Sequence, residues 1–187
     1  MEISIFVNIK IKKMTTKEIS KSIILKYGFL LGLVSVSMSI VLYTQNRHLE
    51  QSQTIGLISV LFILVAIILG IRTFAQYNKM SFGEGLKIGI GITVVGAVII
   101  TLYNYIFSHY IEPDFISQMS AVQKKAMEAS GQLNTEEIAA RIEKLKEGAD
   151  SFITAAIGIV FSAFLGFVIS AVTSVVFIKI EESKKQA

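Results

Sequence analysis

The sequence predicts an all-α, polytopic membrane protein: four transmembrane helices, with a charged helical hairpin inserted between spans three and four. Three observations lead there. Four stretches, Tyr27–Asn46, Gln51–Ile71, Ile88–Ser108 and Ser151–Ile178, contain no Asp, Glu, Lys or Arg and are 20 to 28 residues long. A helix rising about 1.5 Å per residue needs about 20 apolar residues to cross a hydrocarbon core of roughly 30 Å. Hydrophobic residues make up 52% of the chain and mean hydropathy is +0.62, more apolar side chain than a soluble domain of this size needs for its core. The basic residues, finally, cluster beside these stretches rather than within them.

Taken in order, residues 1–20 form a basic segment expected in the cytoplasm. Met1–Lys13 differ in character from the rest of the chain, and Met14 heads a polar, lysine-spaced run suited to a translational start. Both starts are open, and residues 1–13 are untranslated if the second is used. The basic lead, apolar run and Ser37-Met38-Ser39 loosely imitate a cleavable signal, but apolar residues continue through Ile40-Val41-Leu42-Tyr43, which suits an uncleaved anchor. The four-helix membrane domain covers 21–180, including an extracytoplasmic helical insertion at 111–150, and 181–187 form a cytoplasmic tail.

Charge sets the orientation, because short loops rich in Lys and Arg stay in the cytoplasm. Twelve of the eighteen basic residues fall on one side: Lys10, Lys12, Lys13, Lys17, Lys21 and Lys26 before span one, Arg72, Lys79 and Lys87 between spans two and three, and Lys179, Lys184 and Lys185 after span four. The other side holds Arg47 and, in the long loop His109–Asp150, five bases against eight acids. Arg141, Lys144 and Lys146 lie close to span four and pull the other way. The balance places both termini in the cytoplasm.

Ser81-Phe82-Gly83-Glu84 has the spacing of a capping box, with Glu84 reaching back to Ser81, so span three starts near Phe82. Small residues then mark packing seams. Gly85, Gly89, Thr93, Ala97 and Thr101 recur every fourth residue in span three; Gly158, Ser162, Gly166, Ser170 and Ser174 do so in span four; Gly28 and Gly32 form a shorter copy in span one. In lipid, helices gain little from hiding apolar surface, so close backbone approach over small residues supplies the contact. The expected role is packing within one chain. A homodimer face, or a substrate path lined by the hydroxyls of Thr93, Thr101, Ser162, Ser170 and Ser174, uses the same residues.

In the long loop, Pro113 suits the first turn of a helix carrying Phe115, Met119, Val122 and Ala126 on one face and stopped by Gly131. Asn134–Glu137 then caps a second helix in which Ile138, Ile142, Leu145, Ala149 and Phe152 share a face, and this helix is expected to run on into span four. Its other face is charged, and the hairpin is the expected site of an extracytoplasmic contact. Tyr27, Tyr43, Tyr77, Tyr103, Tyr105 and Tyr110 gather at span ends as an interfacial belt. His109 is expected to be a solvated interfacial residue, and Glu112 and Asp114 to favour the N-terminus of the following helix.

No chemistry is encoded in recognisable form. Without Cys there is no disulfide, thiolate ligand or Cys nucleophile. No phosphate-binding loop, H-E-x-x-H helix or G-x-S-x-G elbow occurs, and His48 and His109 stand too far apart in sequence to suggest a metal pair. No charged residue lies deep in a span, which argues against a proton antiporter. The expectation is therefore no catalytic residue, no metal, no cofactor, no enzyme activity and no nucleic acid. The expected function is that of a structural or accessory protein whose spans anchor the hairpin for a membrane or envelope partner. A small transporter or channel acting as an oligomer is the alternative.

The Lys26-Tyr27-Gly28 to Gly32 start, Ser81-Phe82-Gly83 followed by Lys87 and Gly89, and the Tyr103–Phe115 stretch reading YNYIFSHYIEPDF together resemble the bacterial family called domain of unknown function 4199. The similarity runs from about Lys21 to Lys179 and leaves Met1–Lys13 outside. The resemblance implies a small four-span membrane protein with a charged helical insertion between the last two spans. It implies no activity.

Overall fold

The computed structural model describes residues 15–50, 52–149 and 151–186, with side chains as far as 183. Residues 1–13 of the basic segment 1–20 and the alternative start at Met14 lie outside the described residues. Helix α1, Thr16–Thr44, begins at a reciprocal cap in which Thr15 Oγ1 accepts from the Glu18 amide and Glu18 Oε2 accepts from the Thr15 amide at 2.8 Å. It runs unbroken through Ser37-Met38-Ser39, where the hydroxyls of Ser37 and Ser39 donate to the carbonyls of Leu33 and Ser35. A turn through Asn46, in the left-handed region at φ 55°, leads to α2, Gln53–Ala75, capped by Ser52.

Helix α3, Phe82–Ile106, continues as a π-helical turn over Phe107–Ile111, closed by the Glu112 amide donating to Phe107 O at 2.8 Å. Helices α4, Phe115–Ser130, and α5, Thr135–Gly148, form the inserted hairpin and pack on each other. Gly131 ends α4 at φ 63°, and Asn134 and Glu137 close a reciprocal cap at α5. Helix α6, Phe152–Gln186, completes the chain. The described residues contain no strand. Thr16–Thr44, Gln53–Ala75, Phe82–Ile111 and Phe152–Ser183 are long and apolar enough to cross a membrane.

Three local expectations fail. Glu84 does not reach back to Ser81; the Ser81 hydroxyl accepts from the Glu84 amide, but the carboxylate turns to Ser20 on α1. Pro113 stands before the helix, because Asp114 occupies the cap position of α4. Helix α5 does not continue into span four: it ends at Gly148, and Ser151 Oγ accepts from the Ile153 amide to start α6 afresh. The hydrophobic face extrapolated across that break fails with it. Ile138 is 4% exposed, but Leu145 is 39% and Phe152 86% exposed, and Ala126 on α4 faces outward.

Helix α3 is central, flanked along much of its length by α1 and α6, while α2 touches all three. Buried side chains concentrate at the end of the bundle where α1 begins and α6 ends: Ile19, Ile23 and Leu31 on α1, Ala66, Ile67, Ile71 and Phe74 on α2, Met80, and Ile88 and Ile92 on α3. Toward the hairpin, α2 and α6 present Leu57, Leu61, Ile153, Ile157, Val160, Phe161 and Phe164 outward. A surface this apolar requires hydrocarbon as its solvent.

Candidate functional site

Two places concentrate unusual chemistry: the small-residue seam around α3 and a polar, aromatic cluster at the hairpin end. In the seam, α3 and α6 run antiparallel with their ridges interleaved, so that Gly85 meets Ser174, Gly89 meets Ser170 and Thr93 meets Gly166. At Gly89 a methyl group would lie 2.8 Å from Ser170 Oγ, inside ordinary contact, and 3.4 Å from Gly166 O, at its edge. Span one uses its glycines on the other flank of α3: a Cβ on Gly28 would stand 2.6 Å from Val95 Cβ, and one on Gly32 2.7 Å from Ile99 Cβ. Gly70 on α2 receives Ile92, and Gly91 and Gly96 on α3 receive Ile24 and Leu31 of α1.

The α6 ridge does not close along its whole length. A Cβ on Gly158 would meet nothing within 4 Å, and Ser162 is half-buried. Ala97 is buried and Thr101 half-buried on α3. A row of every fourth residue advances 400° per step on a 3.6-residue helix, winding about 40° around the axis each time. Two helices therefore touch along such a row only around their crossing, here at Gly166, Ser170 and Ser174.

Ser170 and Ser174 are fully buried and Thr93 is 2% exposed. Their hydroxyls stay on their own helices: Thr93 donates to Ile90 O at 2.9 Å, Ser170 to Phe167 O at 3.1 Å and Ser174 to Ser170 O at 2.6 Å. Ser162 likewise donates to Gly158 O at 3.0 Å. These hydroxyls act as small, polar-satisfied spacers. Near the termini, polar contacts tie the helices together. Ser20 Oγ lies 2.9 Å from Glu84 Oε2, Tyr27 and Thr73 share a hydrogen bond of 2.7 Å, and Thr16 donates to Asn78 at 3.2 Å.

At the hairpin end, the end of α1, the first loop, the π turn and the start of α4 converge on His48. The imidazole packs edge-on against Tyr43 at 5.1 Å between centroids and stacks with Phe115 at 6.2 Å, and Phe107 closes the box with edge contacts to Tyr43 at 5.1 Å and Phe115 at 5.3 Å. Glu112 fills its polar corner. His48 Nε2 lies 2.9 Å from Glu112 Oε2, with the two side chains 12% and 15% exposed. The approach lacks the alignment of a directed hydrogen bond, and among the described residues neither ring nitrogen of His48 has a hydrogen-bond partner. The other carboxylate oxygen accepts from Gln118 Nε2 at 2.9 Å. The π turn makes this possible, because its wider coil carries Phe107, 5% exposed, and Glu112 together to the α1 side.

Sequence reasoning assigns Glu112 with Asp114 to the following helix. Asp114 occupies the cap of α4 without a side-chain hydrogen bond, while Glu112 divides its carboxylate between Gln118 of α4 and His48. Sequence reasoning also misses His48 as a site residue. Its only sequence signal is an imidazole in a very short interspan loop next to Tyr43, and its partner lies beyond two spans. His109 is exposed on the π turn, its ring 4.1 Å from that of Tyr105 and its Nδ1 2.9 Å from Tyr105 O. Of the tyrosines, Tyr43 joins the box, Tyr27 bonds across to α2, and Tyr77, Tyr105 and Tyr110 are exposed. Beside the box, the Arg47 guanidinium hydrogen-bonds Glu50 and holds its carboxyl below the usual carboxylate range, in a fully exposed pair that contributes little to stability. Among the described residues no group of three or more His, Cys, Asp or Glu is placed to hold a metal ion.

Searches of curated proteins and of solved structures found no match. A family model does match, that of Protein of unknown function (DUF4199), over residues 26–179. These residues hold most of span one, spans two and three, the π turn, the hairpin and the apolar part of span four, so the chain belongs to the DUF4199 family.

Proposed function

We propose that this protein is a non-enzymatic structural or accessory component of a bacterial cytoplasmic membrane, with both termini in the cytoplasm and an extracytoplasmic hairpin that engages a membrane or envelope protein. The observation that carries this reading is the contrast between the two parts of the chain. The spans meet through seams of small residues, whereas α4 and α5 pack chiefly on each other and leave Lys124, Lys125, Glu128, Glu136, Glu137, Arg141, Glu143 and Lys144 exposed. A mixed-charge, two-helix surface carried beyond the membrane suits protein recognition with charge complementarity. The alternative, a small transporter or channel formed by an oligomer, has weaker support, because the seam hydroxyls engage their own helix carbonyls and the ridges interleave at contact distance.

Deleting Ala121–Leu145 removes most of the hairpin and none of the spans. The truncated chain is expected to insert in membranes at the wild-type level while losing the proteins that co-purify with it. An unchanged set of co-purifying proteins would refute the reading.

A further inference from the structure

The His48–Glu112 contact joins two titratable groups, drawn from either side of spans two and three in sequence, in a largely desolvated aromatic box. We propose that it is a pH-operated latch that fixes the root of the hairpin to the first loop when His48 carries its proton, and releases it when the imidazole is neutral. The argument starts from burial. An ionised carboxylate as enclosed as Glu112 needs compensation. One oxygen has the Gln118 amide; among the described residues the other has only His48 Nε2 at 2.9 Å, without hydrogen-bond alignment. A misaligned contact to a neutral imidazole supplies little, whereas the attraction between opposite charges at this separation tolerates misalignment and is strengthened by poor solvent access. Holding the latch therefore depends on charge rather than on hydrogen-bond geometry.

The groups around His48 leave Glu112 as the partner that answers its charge. Tyr43 of α1 and Phe115 of α4 present rings, Phe107 of the π turn presents another, and Tyr103 of α3 stacks behind Phe107. Gln118 of α4 is uncharged. In the first loop itself, Arg47 and Glu50 neutralise each other at the surface. Asp114 is exposed at the cap of α4, and His109 stacks on Tyr105. An imidazole changes charge between about pH 5 and 8. The latch is closed while His48 is protonated and Glu112 ionised, and opens as pH rises and the imidazole gives up its proton. What opens is the junction through which the membrane domain holds α4, since Phe115 and Gln118 both belong to its first turns. The device is a property of the chain alone and stands whether or not the hairpin binds a partner.

The chain has no Cys, so spin labels can be placed at Thr44→Cys and Lys124→Cys, one on each side of the junction. In protein reconstituted in vesicles, electron–electron distance measurements at pH 6 are expected to give one narrow distribution. At pH 9 a displaced component is expected to grow by about tenfold, the change that losing one charge-assisted contact produces. His48→Gln and Glu112→Gln should each show the displaced component at both pH values. A control pair at Lys21→Cys and Lys87→Cys, at the far end of the bundle, should not move. A wild-type distribution identical at pH 6 and 9, a pH response that survives in both variants, or an equal response in the control pair would overturn the proposal.

Discussion

Gly89→Ala tests whether the seam sets the stability of the bundle. The added methyl would lie inside contact distance of Ser170, 2.8 Å from its Oγ and 3.4 Å from Gly166 O. Ser170 is fully buried and has only a Cβ and an Oγ to move, so rotation cannot clear the space and α6 must shift as a body. That shift loosens the neighbouring contacts at Gly85 with Ser174 and Thr93 with Gly166. Overpacking of this kind costs about 1–3 kcal/mol, while Ala gains about 1 kcal/mol over Gly in a helix. Because only a body shift of α6 relieves the clash, the overpacking cost lies in the upper part of that range, about 2–3 kcal/mol, and the net expectation is a loss of about 1–2 kcal/mol. Gly158→Ala supplies the contrast, because its methyl meets nothing within 4 Å; it should be neutral or stabilising by up to about 1 kcal/mol. Helicity followed through a dodecyl sulfate titration in mixed micelles measures both, a suitable readout for a chain without Trp. Ser170→Gly removes the atoms that the added methyl would strike, so the double variant should recover about 1–2 kcal/mol relative to the sum of the single changes. Gly89→Ala as stable as wild type, or no such recovery, would refute the reasoning.

Two further outcomes rest on backbone geometry and on charge. Gly131→Ala forces a side chain into the left-handed cap at φ 63° with no neighbouring atom in the way, so its effect is conformational, about 1 kcal/mol lost locally; amide exchange in α4 and α5 should quicken while the membrane spans stay unchanged. Orientation is checked with an impermeant thiol reagent on intact cells. Ser130→Cys should react from outside and Ser183→Cys only after lysis, and the opposite pattern would invert the proposed topology.

The spans could be read from sequence because their determinant is local: a charge cannot be left in hydrocarbon, so a charge-free stretch such as Ile88–Ser108 is helical throughout. The caps at Ser81 and Asn134 were legible for the same reason, since a side chain a few residues away supplies the bond. Small residues spaced by four identified seams, but not which members touch. Gly158 belongs to the same row as Gly166 and still stands open, because contact depends on where two winding rows cross. Long-range partners were hidden altogether. Glu84 prefers Ser20 of another helix to its own cap, and Glu112 answers His48 of the first loop as well as Gln118 of the adjacent helix. The break between Gly148 and Phe152 was masked by an apolar rhythm that continues through it. The π turn has no periodic signature, and with it the convergence of Phe107 and Glu112 on the first loop was unreadable.

The concentration of buried side chains beside the start of α1 and the end of α6 gives the bundle the mechanics of tongs riveted at one end. Rigidity declines away from the rivet, where Ile67, Ile71, Phe74 and Ile88 have no exposed surface, toward arms whose side chains lie largely open. Local opening of the helices therefore needs least free energy at the free arms and most at the rivet.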